Sequence, residues 1–114
     1  MTTVWVVRRL ALSLPRTSEH LIRDRVKFRV GQLVYVALSR DETVMGFGFP
    51  KDERDALVES EPDKFSLPTR SDLRYHWVHV RLAAIEDDEM TEVVTDAWAM
   101  CVPQKVRREH LGRE

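Results

Sequence analysis

Cysteine is nearly absent from this 114-residue sequence: Cys101 stands alone, which excludes an internal disulfide framework and a multi-cysteine zinc site. Long apolar runs are missing too. None approaches the roughly 20 residues a membrane helix requires, and the run Val4-Trp5-Val6-Val7 is cut short by Arg8 and Arg9, too soon for a signal peptide. These absences predict a protein with no membrane association and a cytoplasmic location. Excess charge of one sign is lacking as well. Eighteen basic residues face nineteen acidic ones, so the net charge of -1 excludes a globally basic nucleic-acid binder of the histone kind. There are four glycines, and the pair Gly46 and Gly48 is followed by no Gly-x-Gly-x-x-Gly or Gly-Lys-Ser/Thr phosphate loop. What remains is 43% hydrophobic and 32% charged, apolar enough for one core and too apolar for a disordered chain.

Along the chain, Val7, Leu10, Ala11 and Leu14 recur at helical spacing with Arg8 and Arg9 opposite, predicting an amphipathic helix over 4–14 that Pro15 ends. Residues 16–25 read as polar and irregular, anchored by Leu21 and Ile22. Three strands follow, over 26–30, 33–39 and 43–49. The first, Val26-Lys27-Phe28-Arg29-Val30, alternates strictly, as a half-buried strand does. Gly46 and Gly48 share one face of the third strand and predict close helix packing or a bulge. Pro50 then opens a helix whose first turns carry Asp52, Glu53 and Asp55, and Phe65 and Leu67 are expected to tuck under the sheet. Residues 74–82 read as the longest strand, with Val78, Val80 and Leu82 on one face and Tyr75, Trp77, His79 and Arg81 on the other. A last helix after Ile85 buries Met90, Val93, Val94, Ala97 and Cys101, with Trp98 expected in the core and Pro103 closing it. Residues 104–114 read as a charged, fraying tail. The order α-β-β-β-α-β-α predicts an α+β domain over 1–105, with helices on one face of an antiparallel sheet, and a tail over 106–114.

The neutral total hides segregation. Residues 1–40 carry +6, 41–69 carry -5, 70–85 carry +2, 86–103 carry -6 and the tail +2. If Phe28 and Val78 point inward, then Lys27, Arg29, Tyr75, Trp77, His79 and Arg81 point outward together. Cations there neutralise phosphates and rings offer stacking surfaces. The plainer reading is that any open sheet needs a polar outer face, where Lys and Arg also discourage edge pairing.

Catalytic and metal patterns are sparse. His76 and His79, three apart on a strand, are expected to face opposite sides and so not to chelate one ion, and the run Glu86-Asp87-Asp88-Glu89 caps a helix rather than forming a calcium loop. No serine sits in a Gly-x-Ser-x-Gly elbow. The expectation is a protein without enzymatic activity, cofactor or metal; a small-molecule site would need a deep apolar cavity beside His79.

The segments Arg9-Leu10-Ala11-Leu12-Ser13-Leu14-Pro15, Val26-Lys27-Phe28-Arg29-Val30-Gly31, Pro62-Asp63-Lys64-Phe65, Arg74-Tyr75-His76-Trp77-Val78 and Asp96-Ala97-Trp98 resemble, in order and spacing, the mostly bacterial MmcQ/YjbR-like proteins over 4–105. The resemblance implies a fold similar to that of the frataxin homologue CyaY. It also implies double-stranded DNA binding through β-hairpins acting as paired wings. On that scheme Arg25, Lys27 and Arg29 fall on the basic hairpin, Arg40 at the next turn, and Arg70 and Arg74 beside the later strand. The acidic last helices leave one orientation free to approach a duplex. The iron-binding acidic ridge of frataxins is disfavoured here by the +6 charge of the opening segment. The sequence-based expectation is therefore a DNA-binding module using Arg25, Lys27, Arg29, Arg40, Arg70, Arg74, Trp77 and Arg81, or alternatively a module that docks another protein.

Overall fold

Alternation along the strands builds the centre of the molecule. In the computed structural model, which describes residues 1–112, the elements run α1 (Val4–Ser13), β1 (Thr17–Ile22), β2 (Arg25–Val30), β3 (Leu33–Leu38), β4 (Val44–Gly48), α2 (Lys51–Ser60), β5 (Phe65–Ser66), β6 (Trp77–Arg81), α3 (Asp87–Ala99) and α4 (Gln104–Leu111), with short 3-10 turns at Arg70–Asp72 and Leu82–Ala84. The six strands form one antiparallel sheet in the order β1-β2-β3-β4-β6-β5. This is an α+β fold. Among the described residues no helix is long and apolar enough to cross a membrane.

One sheet face is the core. Phe28, Val36, Phe47 and Val78 lie opposite one another across β2, β3, β4 and β6. They join Val7 and Ala11 of α1 and Met90, Val94 and Trp98 of α3 in a single buried cluster. Trp98 is fully buried as expected, and its indole N–H donates to the Pro15 carbonyl at 2.8 Å, fixing α3 to the turn after α1. Tyr35 is the extra residue where the β2–β3 register shifts, and both it and Val36 are completely buried. Its hydroxyl shares a hydrogen bond with Thr17 Oγ1 at 2.7 Å, and burial pushes its pKa up to about 12.

The strand read over 74–82 as the longest is confined to Trp77–Arg81 and pairs with a short strand, β5, that the sequence reading lacked. Three other parts of the chain also differ from that reading. Residues 16–25 are not irregular. They form edge strand β1 and a tight turn in which Arg23 and Asp24 both take left-handed φ, 52° and 65°, the backbone of a two-residue hairpin. Leu21 is 72% exposed rather than an anchor; a strand with Ser18, Glu19 and His20 at its centre shows no apolar alternation to read. The second difference is at the end of α3, which stops at Ala99, so Cys101 lies beyond it and is only half-buried. Pro103 opens α4 instead of ending α3. The third is α4 itself, a helix where a frayed tail was expected, its His110 ring set edge-on against Trp98 at 5.1 Å; Arg113 and Glu114 lie outside the described residues. Phe65 is buried in β5 as expected, whereas Leu67 is 43% exposed.

Candidate functional site

The pairing register sets a second row beside the apolar one. Lys27 lies opposite Ala37, Ala37 opposite Gly46, and Gly46 opposite His79. Each is one position away from a core residue, so this row faces the other side of the sheet. With neighbouring strands about 4.8 Å apart, Lys27 and His79 are separated by about 14 Å of floor. Between them stand two of the smallest residues.

That floor belongs to a cavity of about 1010 Å³. Arg25 and Lys27 of β2 line one side, Thr69, Asp72, Tyr75 and His76 come from the segment before β6, and Ala97, Met100 and Cys101 close the end where α3 stops. A smaller hollow of about 540 Å³ lies along α4 and, among the described residues, is lined by that helix and Gly112.

Gly46 has a specific task here. A Cβ built on it would lie 2.4 Å from Trp77 Nε1 and 2.7 Å from Cε2, so the indole is seated on bare backbone. The expected helix approach happens instead at Gly48, where a Cβ would lie 3.9 Å from the Ala97 Cβ.

Trp77 is also held from below. The Arg54 guanidinium of α2 donates to three carbonyls: Leu73 at 2.6 Å, Tyr75 at 2.9 Å and Trp77 at 3.4 Å. Sequence reading missed Arg54, because a lone cation on a helix rich in acids looks like a solvated side chain. Charge-assisted donation to three acceptors pins the segment that carries Tyr75, His76 and Trp77.

Electrostatics across the cavity are asymmetric. Burial is the largest influence on His79 and lowers its pKa; Arg25 lowers it further and Asp72 opposes them. The imidazole is therefore neutral at pH 7, offering one donor and one acceptor. Burial raises the pKa of the Cys101 thiol, which keeps it protonated and a poor nucleophile.

The eight expected contact residues separate. Arg25, Lys27 and Trp77 line the cavity. Arg40 is exposed at the neighbouring turn, its Nε donating to the Arg23 carbonyl at 3.4 Å. Arg70 and Arg74 are exposed on the segment that carries Asp72 and Tyr75, and the Arg74 guanidinium lies 4.9 Å over the Tyr75 ring. Arg29 turns elsewhere. Its Nη2 lies 3.2 Å from His20 Nδ1, its Nε is buried without a partner, and His20 Nε2 reaches Ser18 Oγ at 2.8 Å. Because Arg only donates, His20 Nδ1 accepts and its Nε2–H donates to Ser18. Arg81 is exposed but engaged with the Asp63 carbonyl at 3.2 Å, away from the cavity. His76 and His79, expected on opposite sides, both line the cavity, because His76 precedes β6 and strand alternation does not govern it. The described residues hold no group of three His, Cys, Asp or Glu side chains able to bind a metal.

The family model for YjbR matches residues 12–100. The crystal structure of Deinococcus radiodurans protein DR2400, which carries a DUF419 domain, is similar with a TM-score of 0.78 over 98% of this chain and 89% of that one, at 20% identity. At that identity the likeness is one of fold. No protein of curated function matches the sequence.

Proposed function

We propose that this chain, which belongs to the YjbR family, is a non-enzymatic nucleic-acid-binding module that receives the phosphates of a DNA duplex on the basic rims of its open sheet face. The observation that carries the reading is the cavity bordered by Arg25 and Lys27, with an indole in its floor. Arg40 extends the cationic side toward the β3–β4 turn, and Arg70 and Arg74 supply cations on the opposite segment. The acidic first turn of α3, with Asp87, Asp88 and Glu89, belongs to the helix layer over the other face. A duplex therefore meets cations from one side only. Arg29 and Arg81 are left out of the proposed contact set because the Arg29 Nε is buried with its Nη2 on His20, and Arg81 reaches the Asp63 carbonyl, away from the cavity. Burial holds the one thiol in the walls, Cys101, in its protonated form.

Fluorescence anisotropy of a labelled duplex across a salt series tests this. Arg25→Ala and Lys27→Ala together should weaken binding to all sequences alike and reduce the log–log salt slope by about one unit per lost contact. Absence of binding at about 50 mM salt, where phosphate contacts are strongest, overturns the proposal. The protein-docking alternative has one observation in its favour: Trp5 and Leu12 of α1 are 70% and 47% exposed. It calls for concentration-dependent association that Trp5→Ser abolishes in sedimentation measurements.

A further inference from the structure

We infer that the cavity receives a single unpaired base, so that the protein prefers DNA carrying an extruded nucleotide over a fully paired duplex. The inference rests on the nucleic-acid reading above and adds what the space between the basic rims is for. A duplex lying on the rims leaves that space unfilled, because a cavity of about 1010 Å³ is on the scale of a small-molecule site and not of a double helix, whose major groove alone is about 12 Å wide. One base and its sugar fit it.

Four features suit that occupant. The middle of the floor carries no branched side chain: Ala37 and the Trp77 indole, which covers Gly46, lie between Lys27 and His79. The Trp77 indole is fixed in orientation by its seat on Gly46 and by the Arg54 grip on residues 73–77, and a fixed ring loses little entropy when a base stacks on it. Polar groups that read a base edge line the same walls: the His79 imidazole and the Asp72 carboxylate, whose Oδ2 accepts from the Thr69 hydroxyl at 3.2 Å. Finally, the cations and the carboxylate come from different elements. Arg25 and Lys27 are on β2, with two strands between it and β6, while Asp72 precedes β6. An extruded nucleotide is thereby oriented, with its phosphate toward β2 and its base over Trp77 toward Asp72, which accepts from an exocyclic amino group and repels a phosphate placed the wrong way round.

The test compares two labelled DNAs at one salt concentration: a fully paired duplex and the same duplex with a single-nucleotide 2-aminopurine bulge. The bulged DNA should bind about tenfold more tightly, the gain expected of one base–aromatic stack, and the 2-aminopurine emission should change on binding. Trp77→Ala should abolish the difference between the bulged and the paired DNA, both measured with that variant, and Trp77→Phe should restore part of it. Gly46→Ala, which keeps the indole but removes its seat, should act like Trp77→Ala, with circular dichroism showing that both variants are folded. Equal affinity for the two DNAs overturns the inference and leaves the rim reading standing. A bulge preference that survives in Trp77→Ala also overturns it, since bending of the DNA would then explain the preference. Failure to bind either DNA removes both proposals.

Discussion

Two adjacent rows cross the same strands of this sheet and do opposite things. Phe28, Val36, Phe47 and Val78 are at most 1% exposed and hold α1 and α3. Lys27, Ala37, Gly46 and His79, one residue away on each strand, floor an open cavity. The backbone is shared, so the difference is one of side chains alone. A pleated sheet offers two surfaces from one set of hydrogen bonds: bulk in one row secures the fold, and in the other Ala37 leaves room for a ligand while Gly46 seats the Trp77 indole. Stability and binding are therefore separable residue by residue, and that separation can be challenged.

The strongest challenge is to swap the roles of the rows. Phe47→Ala removes a fully buried ring that packs edge-on with Phe49 and Phe65 and should cost about 3–5 kcal/mol in urea denaturation. Ala37→Leu in the other row should change stability by less than about 1.5 kcal/mol, because its side chain enters the cavity, yet should abolish binding of a bulged DNA. Similar destabilisation by the two would show that the rows are not independent.

A middle-sized effect is expected at Arg54, which serves both fold and site. Arg54→Ala leaves the carbonyls of Leu73, Tyr75 and Trp77 without their charged donor and should cost about 1–3 kcal/mol. It should also weaken binding of the bulged DNA by loosening the Trp77 segment. Arg54→Lys cannot span three acceptors and should recover only part of either loss.

The alternation that separates the rows was legible in the residues themselves. It placed Phe28 and Val78 inside and Lys27, Trp77 and His79 outside, and the structure has them there. The walls were not legible, for a physical reason: they come from segments without a period. Asp72, Tyr75 and His76 sit in turns, and Met100 and Cys101 follow the end of α3. Strand β1 escaped because an edge strand need not bury a face; its Glu19 shares the Phe28 register position but pairs with Arg8 at 2.7 Å. Arg29 and Arg81 show the remaining limit. Spacing assigns a side chain to a face, but not to the partner that occupies it, here His20 and the Asp63 carbonyl.

The smallest expected effect concerns pH. His79 has its pKa lowered in the folded protein, mainly by burial, so the unfolded chain binds the proton more readily. This contribution to stability is present above about pH 6.5, the ordinary histidine value, and is lost as pH falls through the lowered folded value. Thermal melts across that window should show His79→Gln less sensitive to acidification than the parent protein. An unchanged pH profile would mean that His79 is as well solvated in the folded state as in the unfolded one.

The claim on which all of this depends is that the open face of the sheet, and not the helical layer, meets nucleic acid. The most direct measurement is an amide and indole NMR titration of the 15N-labelled protein with the bulged DNA. The account predicts shifts concentrated at Lys27, Ala37, Gly46, His79 and the Trp77 indole N–H, with the signals of α1 and of the first two turns of α3, residues 87–94, still. Shifts centred on Trp5 and Leu12 of α1, with the Trp77 indole unmoved, would contradict it.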